Sequence, residues 1–126
     1  MFVDCCLAHH VAAPLVAAGL VVHLHDDHFE PGTPDEVWLV EAGRRKWLVL
    51  TKDLRIRTNL LQRNALYAAG VGAFFLKGGN ATSAQMAALV HANVDRLIAF
   101  AKKHPTPFIA SVTNTGIRLV EQSNPR

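Results

Sequence analysis

Short apolar segments alternate with helix-spaced segments along this 126-residue chain, and that alternation constrains the fold more than any other feature. The apolar segments predict four strands, at residues 2–5, 20–24, 47–50 and 72–76. The segments between and after them predict helices at residues 7–18, 34–43, 58–69 and 82–103. Strands that alternate with helices form a mostly parallel sheet covered on both faces. The predicted fold is therefore α/β, with a mostly parallel sheet flanked by helices.

Two of the predicted helices begin at recognisable capping sequences. Thr33 is the predicted N-cap of the second helix, with Pro34 at the first helical position and Glu36 as the capping-box partner. Thr82 and Gln85 form the corresponding pair at the start of the last helix.

The end of the chain predicts a different connection. Residues 108–112 and 117–120 read as two strands joined by the turn sequence TNTG, which is typical of an antiparallel hairpin. A chain of this length normally forms one domain, so we expect residues 1–126 to share a single core.

Charge is distributed unevenly. Residues 1–43 contain seven Asp or Glu and no Lys or Arg, whereas residues 44–126 contain thirteen Lys or Arg and three acids. The pattern predicts an acidic pocket beside a basic surface, as a protein that handles a polyanion needs.

Other features of composition exclude several classes of protein. No apolar stretch reaches the roughly 20 residues that span a bilayer, and the chain begins without a basic leader, so we expect neither a membrane anchor nor secretion. Cys5 and Cys6 are adjacent and can hardly bridge each other, which favours a reducing, cytoplasmic location.

Three acidic residues lie where a predicted strand ends or a helix begins. Asp4 ends the first strand, Asp53 follows the third, and Asp35 opens the helix between them. Because parallel sheets bind ligands beyond the carboxyl ends of their strands, we expect these carboxylates to converge. Converging carboxylates need a cation, and oxygen ligands favour Mg²⁺ or Mn²⁺. The alternative is that each acid only caps a helix or offsets its dipole.

The ordered segments FVDCCL, VVHLHDDHFEPGTPDEVWL and WLVLTKDLRIR resemble the PIN-like domains related to VapC-type ribonuclease toxins. The resemblance is strongest over residues 2–80. It implies a PIN-like fold in which Asp4, Asp35 and Asp53 of the T-x-D turn bind the divalent metal. It also implies an RNA substrate and a neighbouring antitoxin protein that blocks the site.

The chain departs from the family pattern at two places. Cys5 and Cys6 follow Asp4, where related chains often carry an acidic or amide residue. The late strand end that commonly provides a fourth carboxylate offers Asn114, which can ligate or orient a water molecule. The pattern therefore favours a site for one metal ion over a site for two. Glu36 is a further candidate residue, beside the metal ligands.

The predicted reaction is hydrolysis of an RNA phosphodiester by a metal-dependent endoribonuclease. A bound cation would polarise the phosphate and activate a water molecule, and one of the three carboxylates would accept its proton. Flanking phosphates would be held by basic residues near Asp53 and by a more distant pair. These candidates are Lys52, Arg55, Arg57, Arg44 and Arg45.

Other readings stay open. The leading alternative is a non-catalytic module that binds RNA or protein, because the fourth acid is missing. A zinc site built from His23, His25 and His28, with Cys5, Cys6, His9 and His10 in the same acidic half of the chain, is a weaker one, since the spacing is loose. A phosphoacceptor receiver domain fits the acid spacing poorly. The apolar helices containing Leu39 and Leu89 are candidates for a homodimer contact.

Overall fold

The computed structural model of this protein describes residues 1–4, 11–30, 32–53, 58–77 and 81–122. Its elements are, in chain order, β1 (Phe2–Val3), α1 (Ala12–Ala17), β2 (His23–Leu24), α2 (His25–His28), α3 (Asp35–Arg44), β3 (Val49–Thr51), α4 (Leu60–Ala69), β4 (Gly72–Leu76), α5 (Ser83–Lys103), β5 (Phe108–Thr113) and β6 (Gly116–Gln122).

The six described strands form one sheet with the order β2-β1-β3-β4-β5-β6. β1 to β5 are parallel, whereas β6 pairs antiparallel with β5. β2 and β3 lie on opposite sides of β1. The chain therefore adds β2 on one side of β1 and then adds β3, β4 and β5 in order on the other side. The carboxyl ends of β1 and β3 thus flank the crevice where open α/β sheets bind ligands. The predicted α/β fold and its C-terminal hairpin are confirmed.

Successive strand residues point to opposite faces of the sheet, and each face carries its own core. Val3, Leu50 and Phe74 lie on the face that packs against α1 and α5. Phe2, Val49 and Ala73 lie on the other face; the helical partners buried with them are Trp38, Leu39, Ala42 and Leu66. A fully buried side chain of this size contributes about 1.5–3 kcal/mol, so the two faces together hold the helices in place.

Several predicted boundaries are confirmed. β4 has the predicted limits, and the Thr82 and Gln85 side chains form the predicted capping box at the start of α5. Gly70 ends α4 in the left-handed conformation with φ 74°. For the first predicted helix, residues 7–10 lie outside the described ranges, and α1 begins at Ala12.

The predicted start of α3 is wrong by one residue. The Thr33 hydroxyl donates to the carbonyl oxygen of Glu30 at 2.6 Å and so does not cap the helix. Pro34 occupies the N-cap position, and the first helical residue is Asp35. The predicted capping box between Thr33 and Glu36 is therefore absent, and Glu36 lies half-buried in the first turn of α3.

Two further differences concern local structure. Residues 25–28 lie between the predicted elements, and they form the short helix α2. Leu39 and Leu89 are both buried, so the outward-facing apolar residues of α3 are Val37 and Val40, which are 52% and 61% exposed. No helix among the described residues is both long enough and apolar enough to cross a membrane.

Gly43 allows α3 and α4 to approach each other closely. The sequence suggested that this glycine ends the helix, but α3 continues to Arg44. A Cβ atom at position 43 would stand 2.1 Å from the carbonyl oxygen of Ala69 in α4. Because that atom belongs to the backbone, a side chain at position 43 must push the two helices apart.

We expect Gly43→Ala to lower the free energy of unfolding by about 1–3 kcal/mol, since it overpacks the contact between α3 and α4. Urea denaturation measures this change. Val40→Ala in the same helix is the matched control, because Val40 is exposed and its loss should change stability by less than about 0.5 kcal/mol. Equal stability of Gly43→Ala and the unmodified protein would contradict this account of the packing.

Candidate active site

Thr51 joins two of the predicted site residues through one hydroxyl group. Its Oγ1 donates to Oδ2 of Asp4 at 2.8 Å and accepts the backbone N–H of Asp53 at 3.0 Å. The hydroxyl hydrogen is therefore donated to the Asp4 carboxylate, and a lone pair of the hydroxyl oxygen accepts the N–H of Asp53. We refer to Asp4, Thr51 and Asp53 as the acidic crevice.

Strand pairing explains why these residues meet. β1 and β3 are parallel neighbours with Val3 opposite Leu50, and the N–H of Asp4 donates to the carbonyl of Leu50 at 3.0 Å. Asp4 therefore lies beside Thr51 at the carboxyl ends of the two strands. The bond from the N–H of Asp53 back to the Thr51 side chain is the local bond that Thr forms in tight turns. It directs the chain out of β3 just beyond the sheet.

The two acids of the crevice differ in burial. Asp4 is 4% exposed, whereas Asp53 is half-buried. A buried carboxylate is costly unless it is hydrogen-bonded, and the Thr51 hydroxyl supplies one such bond. Asp4 is therefore held in the floor of the crevice, and Asp53 lies at its rim.

Asp35 is fixed by a different contact. It is the first residue of α3, and its Oδ1 accepts the indole N–H of Trp38 at 2.9 Å. Trp38 is buried and stacks on Phe2 of β1 at a centroid distance of 5.1 Å. Because α3 connects β2 to β3 and starts after the carboxyl end of β2, its first turn lies at the same edge of the sheet as Asp4.

The structure thus links Asp4 to the backbone of Asp53 through Thr51, and it bonds the Asp35 carboxylate to Trp38. Within the described ranges, no three His, Cys, Asp or Glu side chains lie close enough to hold a metal ion jointly. The donors of the crevice are carboxylate and hydroxyl oxygens, which are the ligands that Mg²⁺ and Mn²⁺ prefer. The chemistry of the residues present therefore fits a hard divalent cation.

Asn114, the candidate in place of a fourth acid, lies further away. It is exposed in the turn between β5 and β6 and lines a cavity of about 530 Å³ together with Lys77 and Gln85. β5 is two strands from β3, so the turn stands roughly 10 Å to the side of the crevice at about 4.8 Å per strand.

The basic candidates occupy two places. Lys52 is half-buried between Thr51 and Asp53, next to the crevice. Arg44 and Arg45 lie at the far end of α3 from Asp35, about 13–15 Å along the helix at 1.5 Å per residue. Arg55 and Arg57 lie outside the described residues.

Arg44 and Arg45 are also engaged with an acid. Both hydrogen-bond the Glu41 carboxylate, and these bonds lower the pKa of Glu41 to about 2. Glu41 therefore stays ionised through the physiological range and offsets part of the positive charge that the two arginines present.

Two residues at this edge of the sheet were not predicted from the sequence as candidates for the site. Thr51 was predicted only as part of a turn, although a Thr two residues before Asp53 is the signal for the bond it makes. Lys77, at the end of β4, is exposed at the same edge of the sheet and lines a second cavity of about 640 Å³ with Arg118 and the hydroxyl residues Ser111, Thr113 and Thr115. A lysine directly after an apolar strand was the available signal.

We expect Thr51→Val to lower the free energy of unfolding by about 1–3 kcal/mol, because the buried Asp4 carboxylate loses a hydrogen-bond donor. Thr51→Ser is the matched control: it keeps the hydroxyl and loses one methyl group, at about 0.8 kcal/mol. Urea denaturation of both variants decides the matter. If the serine variant were the less stable of the two, the hydroxyl would not be the group that matters.

Comparison with known proteins gives one family. No curated protein and no solved structure is significantly similar to this chain. A protein family described as a PIN-like domain matches residues 1–78, which include β1 to β4 and all three candidate acids. PIN-like domains are often nucleases. Since the match covers more than half of the sequence, this chain belongs to the PIN-like domain family.

Proposed function

We propose that this protein is a metal-dependent endoribonuclease with Asp4, Asp35 and Asp53 as its catalytic acids. The observation that carries the proposal is the bonding of Thr51 to both Asp4 and the turn of Asp53, at the point where the sheet reverses its order of strands. Membership in the PIN-like family makes nuclease chemistry the natural use of such a crevice.

The residues have separate roles in the proposed reaction. Asp4 and Asp53 would hold a Mg²⁺ or Mn²⁺ ion, and Asp35 would become the third donor once its side chain turns from Trp38 towards them. When bound, the ion supplies Lewis-acid activation of the phosphate and of a water molecule. Asp53 would be the residue that accepts a proton from the attacking water, because it lies at the rim of the crevice and Asp4 lies in the floor.

The RNA strand follows the carboxyl edge of the sheet in this proposal. Lys52 contacts the phosphate beside the one that is cleaved. Lys77 and Arg118 hold the next phosphates in the groove that hydroxyl side chains line. Arg55 and Arg57 follow the crevice in sequence and stay candidates for the same strand, whereas Arg44 and Arg45 are distant contacts.

The partners follow from the VapC-type resemblance. We propose that the protein acts in the cytoplasm as the toxin of a toxin-antitoxin pair, and that its antitoxin covers the acidic crevice. A homodimer would bury Val37 and Val40, the exposed apolar residues of α3.

Cleavage of a labelled, mixed RNA pool with and without Mn²⁺ or Mg²⁺ tests the proposal. We expect metal-dependent cleavage that falls by at least about 100-fold in Asp4→Asn and in Asp53→Asn, the lower range for loss of an acid-base group. Asp95→Asn is the matched control, because Asp95 is exposed on α5 and lies outside the crevice.

Three outcomes are informative. Cleavage that is lost only in the crevice variants supports the nuclease. Equal cleavage by Asp53→Asn would remove Asp53 from the site. RNA binding without cleavage, with correct folding and no metal binding, would instead identify a non-catalytic RNA-binding module.

The proposed path of the strand makes a separate prediction about salt dependence. Lys52→Gln and Lys77→Gln should each weaken RNA binding and reduce the slope of log affinity against log salt by about 0.7, the value for one phosphate contact on a single strand. Lys102→Gln, at the far end of α5, should leave the slope unchanged. The affinity for RNA is measured at several salt concentrations. Every variant in this series also carries Asp53→Asn, so that the RNA is not cleaved during the measurement.

A further inference from the structure

Two histidines outside the acidic crevice lie in direct contact. Nδ1 of His23 stands 3.2 Å from Nε2 of His28, and the two rings are 5.1 Å apart between centroids. His23 is the first residue of β2 and His28 the last residue of α2, so the short helix folds the chain back to bring them together. We refer to these two residues as the histidine pair.

Trp47 holds the histidine pair in position. The His23 ring stacks on its indole at 4.2 Å, and the His28 ring meets the indole edge-on at 5.0 Å. The indole in turn stacks on the buried ring of Phe2, almost parallel at 8°. Because Phe2 belongs to the core, the orientations of both imidazoles are tied to the sheet.

The 3.2 Å separation of the two nitrogens is that of a hydrogen bond between the rings, and it is also close to the separation of two ligands on one metal ion. Two imidazole nitrogens bound to a tetrahedral zinc ion at about 2.05 Å stand about 3.3 Å apart. We propose that His23 and His28 bind a divalent transition-metal ion of the zinc, nickel and copper class. Metal binding requires that the proton shared between the rings moves to the other nitrogen of its ring, and that both rings turn so that their lone pairs converge on the ion.

The surroundings favour a neutral His23 ring and limit the affinity for a cation. Burial lowers the pKa of His23, and the positive charges of the amino terminus, His28 and Arg45 lower it further. A neutral imidazole is the form that binds metals. Arg45 also repels a cation, and Glu41 partly offsets it through the hydrogen bond between them.

The histidine pair and the acidic crevice select different ions. His23 is level with Phe2, two residues before Asp4, which is about 7 Å along the strand direction. Nitrogen ligands suit zinc, nickel and copper, whereas the oxygens of the crevice suit Mg²⁺ and Mn²⁺. No third His, Cys, Asp or Glu in the described part of the chain completes the pair. Water would therefore fill the other coordination positions, and the ion would be exchangeable.

Tryptophan fluorescence provides a direct readout, because Trp47 contacts both rings and the chain has only one other tryptophan. The intact protein is titrated with Ni²⁺ while its fluorescence is recorded. Excess Mg²⁺ is present to saturate sites made of oxygen ligands. Zn²⁺ binding is measured separately by calorimetry. We expect saturable quenching by Ni²⁺. His28→Gln should weaken binding of both ions by at least about tenfold, the smallest loss usual even for an outer-sphere partner of a metal.

Three further variants make the test specific. His91→Gln removes an exposed histidine of α5 and should leave binding unchanged. Asp53→Asn should also leave it unchanged, because that residue belongs to the crevice. Arg45→Gln should strengthen binding by removing a repelling charge, and weaker binding there would count against the site. Absence of binding in the intact protein, or equal affinity in a folded His28→Gln, would overturn the proposal.

Discussion

The packing of Phe2 sets the geometry at both ends of the short strands. Its ring is fully buried and stacks on Trp38 and on Trp47, at 5.1 and 5.5 Å. The Trp38 indole donates a hydrogen bond to the Asp35 carboxylate, and the Trp47 indole stacks on the ring of His23. One core side chain on the strand between β2 and β3 therefore links the start of α3, the acidic edge of the sheet and the histidine pair.

Much of the fold could be predicted because local patterns determine it. The apolar run of β4, the capping box of Thr82 and Gln85, and the turn between β5 and β6 each depend on residues close together in sequence. The position of Asp4 and Asp53 at one edge of the sheet could also be predicted, since both follow strands and parallel strands end at one edge. That prediction needed only the order of the elements.

Contacts made by tertiary structure could not be read from the chain. Thr33 had the sequence of an N-cap, yet its hydroxyl bonds Glu30 because the preceding turn brings that carbonyl closer. Trp47 looked like an ordinary apolar strand residue, and its contact with His23 arises only because β2 returns to the far side of β1. The side-chain bond between Asp35 and Trp38 likewise depends on how α3 packs on Phe2.

The outer strands of the sheet limit how another chain could extend it. β2 contributes only two residues, and the pairing of β6 with β5 shifts in register between Ile109 and Ala110. Edges that are short or irregular are poor templates for backbone pairing with a further strand. Open-ended strand addition, through which exposed sheets grow into fibres, is therefore disfavoured at β2 and at the irregular end of β6.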